Sequence, residues 1–465
     1  MPVEMDTIVL SYNDGSILIH GGVGTPYGRW DPRVNAFRAM AFHYRDILEY
    51  LRRSRLDFRD AVLDLPPCPG LSCRVRLRPY QREGLEAWIK AGRRGVIVLP
   101  TGAGKTFIAF EAIRLLKMPT LVIVPTLDLL EQWRSRLAEV FNVEVGVYGG
   151  GEETLRCLTV ATYDSAYMKG GFLGNRFMFI VFDEVHHLPA PSYSQIGEMY
   201  VAPYRMGLTA TPEREDGMHR ELPRLVGDIV YRVGVDALAG RHLAPYGHEK
   251  VLVELTPEER RLYDEYLEIF KDYLRRRGLA IRSIGDFQRF IMRSGGDKEA
   301  REALLARNRA VKIALNSEAK MSLLESLLER YKGEKILIFT LHNQLVYRIS
   351  RRFLIPAITY QTAKDERREI LEKFRRGEYR IIATSQVLDE GIDVPDASIG
   401  LIISGTGSPR EYIQRLGRLL RKVRGKEARL IEIVAKGTVE SRMSLRRRKE
   451  PLGEALEEDS EVASE

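Results

Sequence analysis

Four short apolar runs, each ending in a polar segment that carries chemistry, constrain this chain more than any other feature. Gly95-Val96-Ile97-Val98-Leu99 leads into Thr101-Gly102-Ala103-Gly104-Lys105-Thr106, and Leu121-Val122-Ile123-Val124 leads into Pro125-Thr126. Phe179-Ile180-Val181-Phe182 gives way to Asp183-Glu184, and Met206-Gly207-Leu208 to Thr209-Ala210-Thr211. Strands without alternating polarity belong to a parallel sheet covered on both faces. Open α/β sheets bind ligands outside the carboxyl ends of their strands, which is where each polar segment falls. Residues 70–235 therefore read as one α/β lobe with a ligand edge.

The texture recurs later. Ile336-Leu337-Ile338-Phe339, Arg380-Ile381-Ile382-Ala383, Ile399-Gly400-Leu401-Ile402-Ile403 and Leu430-Ile431-Glu432-Ile433 predict a second α/β lobe over 309–450. Between the two, Leu262, Tyr266, Leu267, Phe270 and Leu274 recur at helical spacing, with Arg275-Arg276-Arg277, Arg282, Arg289 and Arg293 close behind. That pattern predicts a small helical insert over 256–308. Near the start, Ile8-Val9-Leu10 and Ile17-Leu18-Ile19 flank Asn13-Asp14-Gly15, which predicts a hairpin. Phe37 to Phe58 has helical spacing. Residues 1–69 are thus expected to form a small α+β domain, closed by a Pro66-Pro67-Cys68-Pro69-Gly70 linker. The acidic stretch 451–465 is expected to be disordered.

A chain of 465 residues has room for two or three domains, and 44% hydrophobic with 29% charged content suits a soluble globular protein. No apolar run approaches the roughly 20 residues needed to cross a bilayer. No basic stretch followed by an apolar segment opens the chain, so neither a membrane nor a secreted location is expected. The formal net charge is +8, and six acids with no Lys or Arg fill the last fourteen residues, leaving a more basic body. Such a body suits a polyanionic partner. Cys68, Cys73 and Cys157 do not amount to a disulfide framework and point to a reducing compartment. Cys68 and Cys73 have no second Cys/His pair nearby to complete a zinc site.

Thr101 to Thr106 read as a phosphate cradle. Small residues let backbone N–H groups approach the phosphates, and the helix that follows presents its N-terminus to negative charge. Lys105 would reach the β- and γ-phosphates and the Thr106 hydroxyl would ligate Mg²⁺. Leu99 stands where the G-x-x-x-x-G-K-[ST] pattern has its first glycine. Two adjacent carboxylates at the end of a buried strand are costly unless a cation compensates them. Asp183 would therefore hold Mg²⁺ and Glu184 would polarise the attacking water. Arg418 and Arg421 lie three apart on an expected helix and face one direction, with Gln414 just ahead. Fixed guanidiniums there would neutralise charge building on the γ-phosphate, so that hydrolysis depends on both lobes. His186 and His187 have no partner set for a metal and are expected to act at a hinge.

Taken in order, these segments resemble the motifs of superfamily 2 helicases, and within them of the XPB (xeroderma pigmentosum group B) family, over roughly Leu77 to Val434. Arg78-Pro79-Tyr80-Gln81 is similar to the family's adenine-reading element, which implies Arg78 and Gln81 at the base. Lys105 and Thr106 match motif I, and Pro125-Thr126 with Gln132-Trp133 match the nucleic-acid motif that follows. Asp183-Glu184-Val185-His186 is similar to motif II, and Thr209-Ala210-Thr211 to motif III, which couples hydrolysis to lobe movement. Asp389-Glu390-Gly391-Ile392-Asp393 resembles motif V, implying Gly391 and Asp393 at the nucleotide. Gln414, Arg418 and Arg421 resemble motif VI, with the arginines as fingers.

Two features are particular to XPB. Arg214-Glu215-Asp216 follows Thr211-Pro212, like the family's strand-separating loop, and the Arg-rich insert stands where the family has its thumb. The first 69 residues would correspond to its damage-recognition domain. The resemblance implies two tandem RecA-like lobes with ATP and Mg²⁺ as cofactors. It implies an ATP-dependent DNA helicase or translocase of 3'-5' type, acting on forked, bubble or damaged duplex DNA in nucleotide excision repair or transcription. Pro125, Thr126, Thr209 and Thr211 would contact DNA, and Arg214, Glu215 and Asp216 would form a wedge whose loss spares hydrolysis. A nuclease partner, a monomeric or heterodimeric state and a compact archaeal-type form are implied as well. The location would be cytoplasmic, or nuclear in a eukaryote. Rival readings are a duplex translocase that never separates strands and an ATP-switched damage-binding scaffold. RNA is also compatible with the motifs.

Overall fold

The computed structural model describes residues 7–214, 216–238, 246–385, 397–405, 428–441 and 444. Glu215, Gly391, Asp393, Gln414, Arg418, Arg421 and the acidic stretch 451–465 lie outside the described residues. The chain divides into two compact units, 1–237 and 238–465.

The first unit opens with β1 (Ile8–Asn13) and β2 (Ser16–His20), paired antiparallel so that Asn13 faces Ser16. Asp14 and Gly15 make the turn with φ of 43° and 81°, the left-handed pair that a two-residue hairpin requires. β3 (Gly28–Asp31), β4 (Ala36–Met40), α1 (Tyr44–Arg53) and β5 (Phe58–Ala61) follow, in the sheet order β3-β4-β2-β1-β5. The helix expected from Phe37 onward begins only at Tyr44. Phe37 to Met40 is strand instead, because β2 and β3 flank it and Arg38 reaches Asp31 with Nε 2.9 Å from Oδ2. Partners on both sides override a helical spacing that is correct only from Tyr44, Ile47 and Leu51.

The larger sheet follows. Its elements are α2 (Pro79–Lys90), β6 (Arg94–Val98), α3 (Lys105–Leu116), β7 (Thr120–Val124) and α4 (Leu127–Phe141). Next come β8 (Val145–Gly149), β9 (Glu152–Thr154), β10 (Leu158–Thr162), β11 (Phe179–Asp183), β12 (Tyr204–Thr209) and β13 (Ile229–Arg232). The order is β13-β6-β12-β11-β7-β10-β8-β9, and every pairing is parallel except β8 with β9. The phosphate loop, Pro125-Thr126, the acid pair and Thr209 all emerge at one end of four neighbouring strands. Arg205, fully buried at the start of β12, fixes that strand. Its guanidinium donates to the carbonyls of Gly197, Tyr200, Ala202 and Leu225 at 2.5–3.1 Å.

The expectation that all cysteines stay reduced fails at one pair. Cys68, in the proline-rich linker, is disulfide-bonded to Cys157 just ahead of β10, with Cα atoms 5.0 Å apart. The 89 residues between them hide the pairing from sequence spacing. Asn175 holds the segment just ahead of the linker, donating from Nδ2 to Val62 O at 2.9 Å and accepting from Asp64 N at 3.1 Å through its backbone carbonyl. Tyr12 Oη lies 2.9 Å from Gly170 O, so the small domain is bonded to the sheet's covering layer.

The second unit carries a six-stranded parallel sheet, β14-β19-β18-β15-β17-β16. The strands are β14 (Tyr246–Val253), β15 (Ile336–Phe339), β16 (Ala357–Ile358), β17 (Ile381–Thr384), β18 (Ile399–Ile402) and β19 (Ala428–Ala435). Helices Pro257–Arg276, Ile284–Gly296 and Lys298–Leu315 form the insert between β14 and β15. Thr256 and Ser283 cap the first two through capping boxes with Glu259 and Asp286. Lys320 is buried in the next helix, with Nζ 2.7 Å from Ile403 O and 2.6 Å from Glu440 Oε2. Removing one partner of such a pair strands a buried charge at a cost of about 3–5 kcal/mol. Lys320→Ala should therefore lower the thermal midpoint of this unit by several degrees, and Lys320→Met with Glu440→Gln should recover most of it. An unchanged midpoint for the single variant would contradict the pairing.

Candidate functional site

The phosphate loop is held open by its neighbours. Gly102 and Gly104 have φ of 82° and 77°, and a Cβ at Gly104 would come within 2.6 Å of Gln81 Nε2. Only glycine accepts both demands. Leu99, in place of the expected first glycine, is buried; its N–H donates to Thr209 O at 3.0 Å and its carbonyl accepts from Lys105 Nζ at 3.2 Å. Lys105 and Thr106 open α3, so a helix N-terminus directly follows the loop. Thr101 Oγ1 is buried without a hydrogen-bond partner, a polar atom left for a ligand to satisfy.

Gln81 and Tyr80 brace this loop from α2. Gln81 accepts from Arg78 N at 2.8 Å and donates to Ala103 O at 2.8 Å, and Tyr80 Oη donates to the same carbonyl at 2.8 Å. The amide expected at the base is thus engaged with the loop. Beside it lies a cavity of about 530 Å³, lined by Arg74, Arg76, Arg78, Gln81, Gly104 and Phe107 among others. The Phe107 ring that lines it is exposed. No sequence signal beyond its place after Thr106 marks Phe107.

Asp183 and Glu184 stand at the end of β11. Asp183 is buried, and its pKa is pushed up to about 6 by burial first and by the Glu184 charge second. Lys105, the Trp133 indole and the Glu184 N–H act the other way. Trp133 Nε1 donates to Asp183 Oδ2 at 2.8 Å, and Glu184 N donates to Oδ1 at 3.1 Å. Glu184 itself is left-handed, with φ 47° and ψ 55°. A non-glycine residue there is strained by about 1–3 kcal/mol.

Behind Glu184, the Thr209 hydroxyl lies 3.4 Å from Oε2 and 3.1 Å from His186 Nδ1. The fully buried His186 thus joins motif II to motif III, and no group of three metal-ligating side chains occurs among the described residues. Thr209 and Thr211, expected to contact DNA, are both buried, whereas Pro125 and Thr126 are half-buried at the start of α4. Trp133, expected with the nucleic-acid motif, is also buried. Arg214, the first residue of the expected wedge, is hydrogen-bonded within its unit. Its Nη1 donates to His186 O at 2.8 Å, while Nη2 lies 2.6 Å from Asp216 Oδ2. That contact holds the Asp216 carboxyl down to about 2.

A phosphate cradle, a carboxylate pair and a second parallel sheet define a nucleotide-hydrolysing motor of the two-lobed α/β type. Residues 74–214 match the model for the res subunit of type III restriction enzymes, and 319–423 match the helicase conserved C-terminal domain. Residues 10–62 match the xeroderma pigmentosum group B helicase damage recognition domain. The chain is 48% identical to the "DNA 3'-5' translocase XPB2" of Sulfurisphaera tokodaii, over 95% of this chain and 100% of that one. It is 30% identical to the "DNA 3'-5' helicase XPB" of Kineococcus radiotolerans, covering 78% of this chain and 60% of that one. The XPB/SSL2 helicase/translocase subunit of general transcription and DNA repair factor IIH from Saccharomyces cerevisiae is 27% identical, with coverage of 88% and 47%. The fold is similar to the Hef helicase domain of Pyrococcus furiosus, with TM-score 0.55, 22% identity and coverage of 80% and 98%. The chain belongs to the XPB family of superfamily 2 helicases. No helix among the described residues is long and apolar enough to cross a membrane.

Because burial and the Glu184 charge push the Asp183 carboxyl up to about 6, above its value of about 4 in an unfolded chain, the metal-free fold holds a proton over that window that the unfolded chain has shed. Stability therefore falls as pH rises from about 4 to about 6, and the cost stays in full above that window. Asp183→Asn should raise the thermal midpoint of metal-free protein at pH 7.5, by the equivalent of up to about 3 kcal/mol, with the gain fading toward pH 4. Thermal unfolding in EDTA at both pH values checks this. A lower midpoint at pH 7.5 would contradict the burial cost.

Proposed function

We propose that this chain is an ATP-driven motor on DNA. It couples hydrolysis to the opening or remodelling of forked, bubble or damaged duplex DNA, in nucleotide excision repair or transcription. The observation that carries this reading is the phosphate cradle beside a partly compensated carboxylate pair at one sheet edge, in a chain 48% identical to a DNA translocase over 95% of its length. In this reading Lys105 and the loop N–H groups bind the β- and γ-phosphates. Glu184 takes the proton of the attacking water, held in aim by its left-handed backbone and by Thr209 and His186.

Asp183 and Thr106 fit Mg²⁺. A dry carboxylate beside a second one needs a cation, and a single protein carboxylate with substrate phosphates and water is the usual Mg²⁺ set. When bound, the ion would neutralise phosphate charge. By family membership, Gln414, Arg418 and Arg421 would stabilise the γ-phosphate in the transition state, and Gly391 and Asp393 would lie at the ribose. Pro125 and Thr126, at the accessible start of α4, would grip a DNA phosphate with a helix N-terminus. A nuclease partner and a monomeric or heterodimeric state complete the proposal. The second reading, a duplex translocase that never separates strands, draws on the printed name of the Sulfurisphaera relative and on the restriction-enzyme model.

ATP turnover measured side by side with single-stranded DNA, duplex, fork, bubble and RNA tests the proposal. Stimulation by DNA and strand displacement on forks are expected, and both should weaken steeply with salt. Stimulation by RNA alone would overturn the proposal; DNA-stimulated turnover without displacement would select the second reading. Lys105→Ala should abolish nucleotide binding or turnover, whereas Glu184→Gln should bind ATP and hydrolyse it at least about 100-fold more slowly. Since Arg214 is bonded to the motif II backbone, Arg214→Ala should lower hydrolysis and displacement together. Intact ATPase with lost displacement would restore Arg214 as an independent wedge.

A further inference from the structure

Trp133 has no role in the reading above. Its place in the sequence beside Gln132 suggested a nucleic-acid motif, but the side chain is only 2% exposed and cannot meet DNA. The indole N–H points instead at Asp183 Oδ2, 2.8 Å away. The ring stands edge-on to Phe110 of α3, with centroids 5.6 Å apart. Phe110 lies on the helix that Lys105 opens, so one side chain of α4 touches both the phosphate-loop helix and the acidic strand.

Asp183 is fixed at both oxygens, by the Glu184 N–H on Oδ1 and the Trp133 N–H on Oδ2. The first donor belongs to the backbone and holds one oxygen only. The second sets the rotation of the carboxylate about its own axis. In a buried site a donor to an ionised carboxylate is worth more than in water and cannot be replaced by solvent.

We propose that Trp133 is a positioning residue for the metal-binding carboxylate, its indole N–H holding Asp183 in the orientation that receives Mg²⁺ with the nucleotide. This rests on the assignment of Asp183 as the metal-holding acid. Outer-sphere donors of this kind typically change metal affinity by 10–100-fold when removed. Because α4 opens at Thr126, the same bond ties Asp183 to the helix assigned to DNA.

The test uses Trp133→Phe, which keeps an aromatic ring against Phe110 and deletes the N–H. Binding of N-methylanthraniloyl-ADP is titrated with MgCl₂ under direct excitation of the label, so that no turnover is needed and loss of the tryptophan does not alter the signal. A Mg²⁺ half-point raised by roughly tenfold, with DNA affinity unchanged, is the expected result. An unchanged half-point overturns the proposal, and a loss of DNA affinity with unchanged Mg²⁺ dependence returns Trp133 to nucleic-acid binding. Asp183→Asn, titrated in parallel, separates the two layers. If it leaves the half-point unmoved, the assignment of Asp183 itself fails. If it raises the half-point while Trp133→Phe does not, only the role of Trp133 fails. Should the phenylalanine variant not fold, 3-benzothienylalanine at position 133 replaces the N–H with sulfur in a ring of the same shape.

Discussion

Two adjacent carboxylates at the dry end of β11 set the terms for everything built around them. Burial alone would drive Asp183 toward its neutral form, and Glu184 beside it adds repulsion. Each neighbour answers one part of that cost. Lys105 supplies positive charge, Trp133 and the Glu184 N–H supply hydrogen bonds, and the left-handed backbone at Glu184 turns the second carboxylate toward Thr209. A pair that is only partly compensated in the bare protein is a site that favours a cation. Fully satisfied acids would have none of that bias.

The scaffold around this edge is stiff where the chemistry needs it to be. Arg205 gathers four carbonyls from the segments packed around β12, and Trp88 donates to the Arg205 carbonyl at 2.8 Å. The Cys68–Cys157 disulfide holds the linker, and the Asn175 hydrogen bonds hold the residues just ahead of it, against the same unit, so the N-terminal domain is not strung on a free tether. Arg214 in turn donates to His186 O in the turn that follows the acid pair and pairs with Asp216.

Much of this was legible in the sequence, and the reasons are specific. Uniformly apolar runs ending in Gly102-Ala103-Gly104-Lys105 and Asp183-Glu184 leave little choice but a parallel sheet with a phosphate edge. β8, β10 and β13 were missed because they carry no motif at their ends to set them apart from other short apolar runs. The helix expected from Phe37 failed because a strand pairing on both sides outweighs helical spacing in a short segment. Spacing cannot report what only distance creates: Cys157 lies 89 residues from Cys68, and Trp133 lies 50 from Asp183. Motif order suggested DNA for Trp133, Thr209 and Thr211; all three are buried, with Trp133 bonded to Asp183, Thr209 to Glu184 and Thr211 to Thr209, contacts that no spacing reports.

The account stands on a divalent ion being received between Thr106 and Asp183. Crystals grown with ADP and Mn²⁺ in place of Mg²⁺ give a direct reading through the anomalous signal of manganese. The account predicts one strong peak between the Thr106 hydroxyl and the Asp183 carboxylate, with the Trp133 indole still bonded to Oδ2. A nucleotide bound with no peak there, or with the ion held by other side chains, would contradict it.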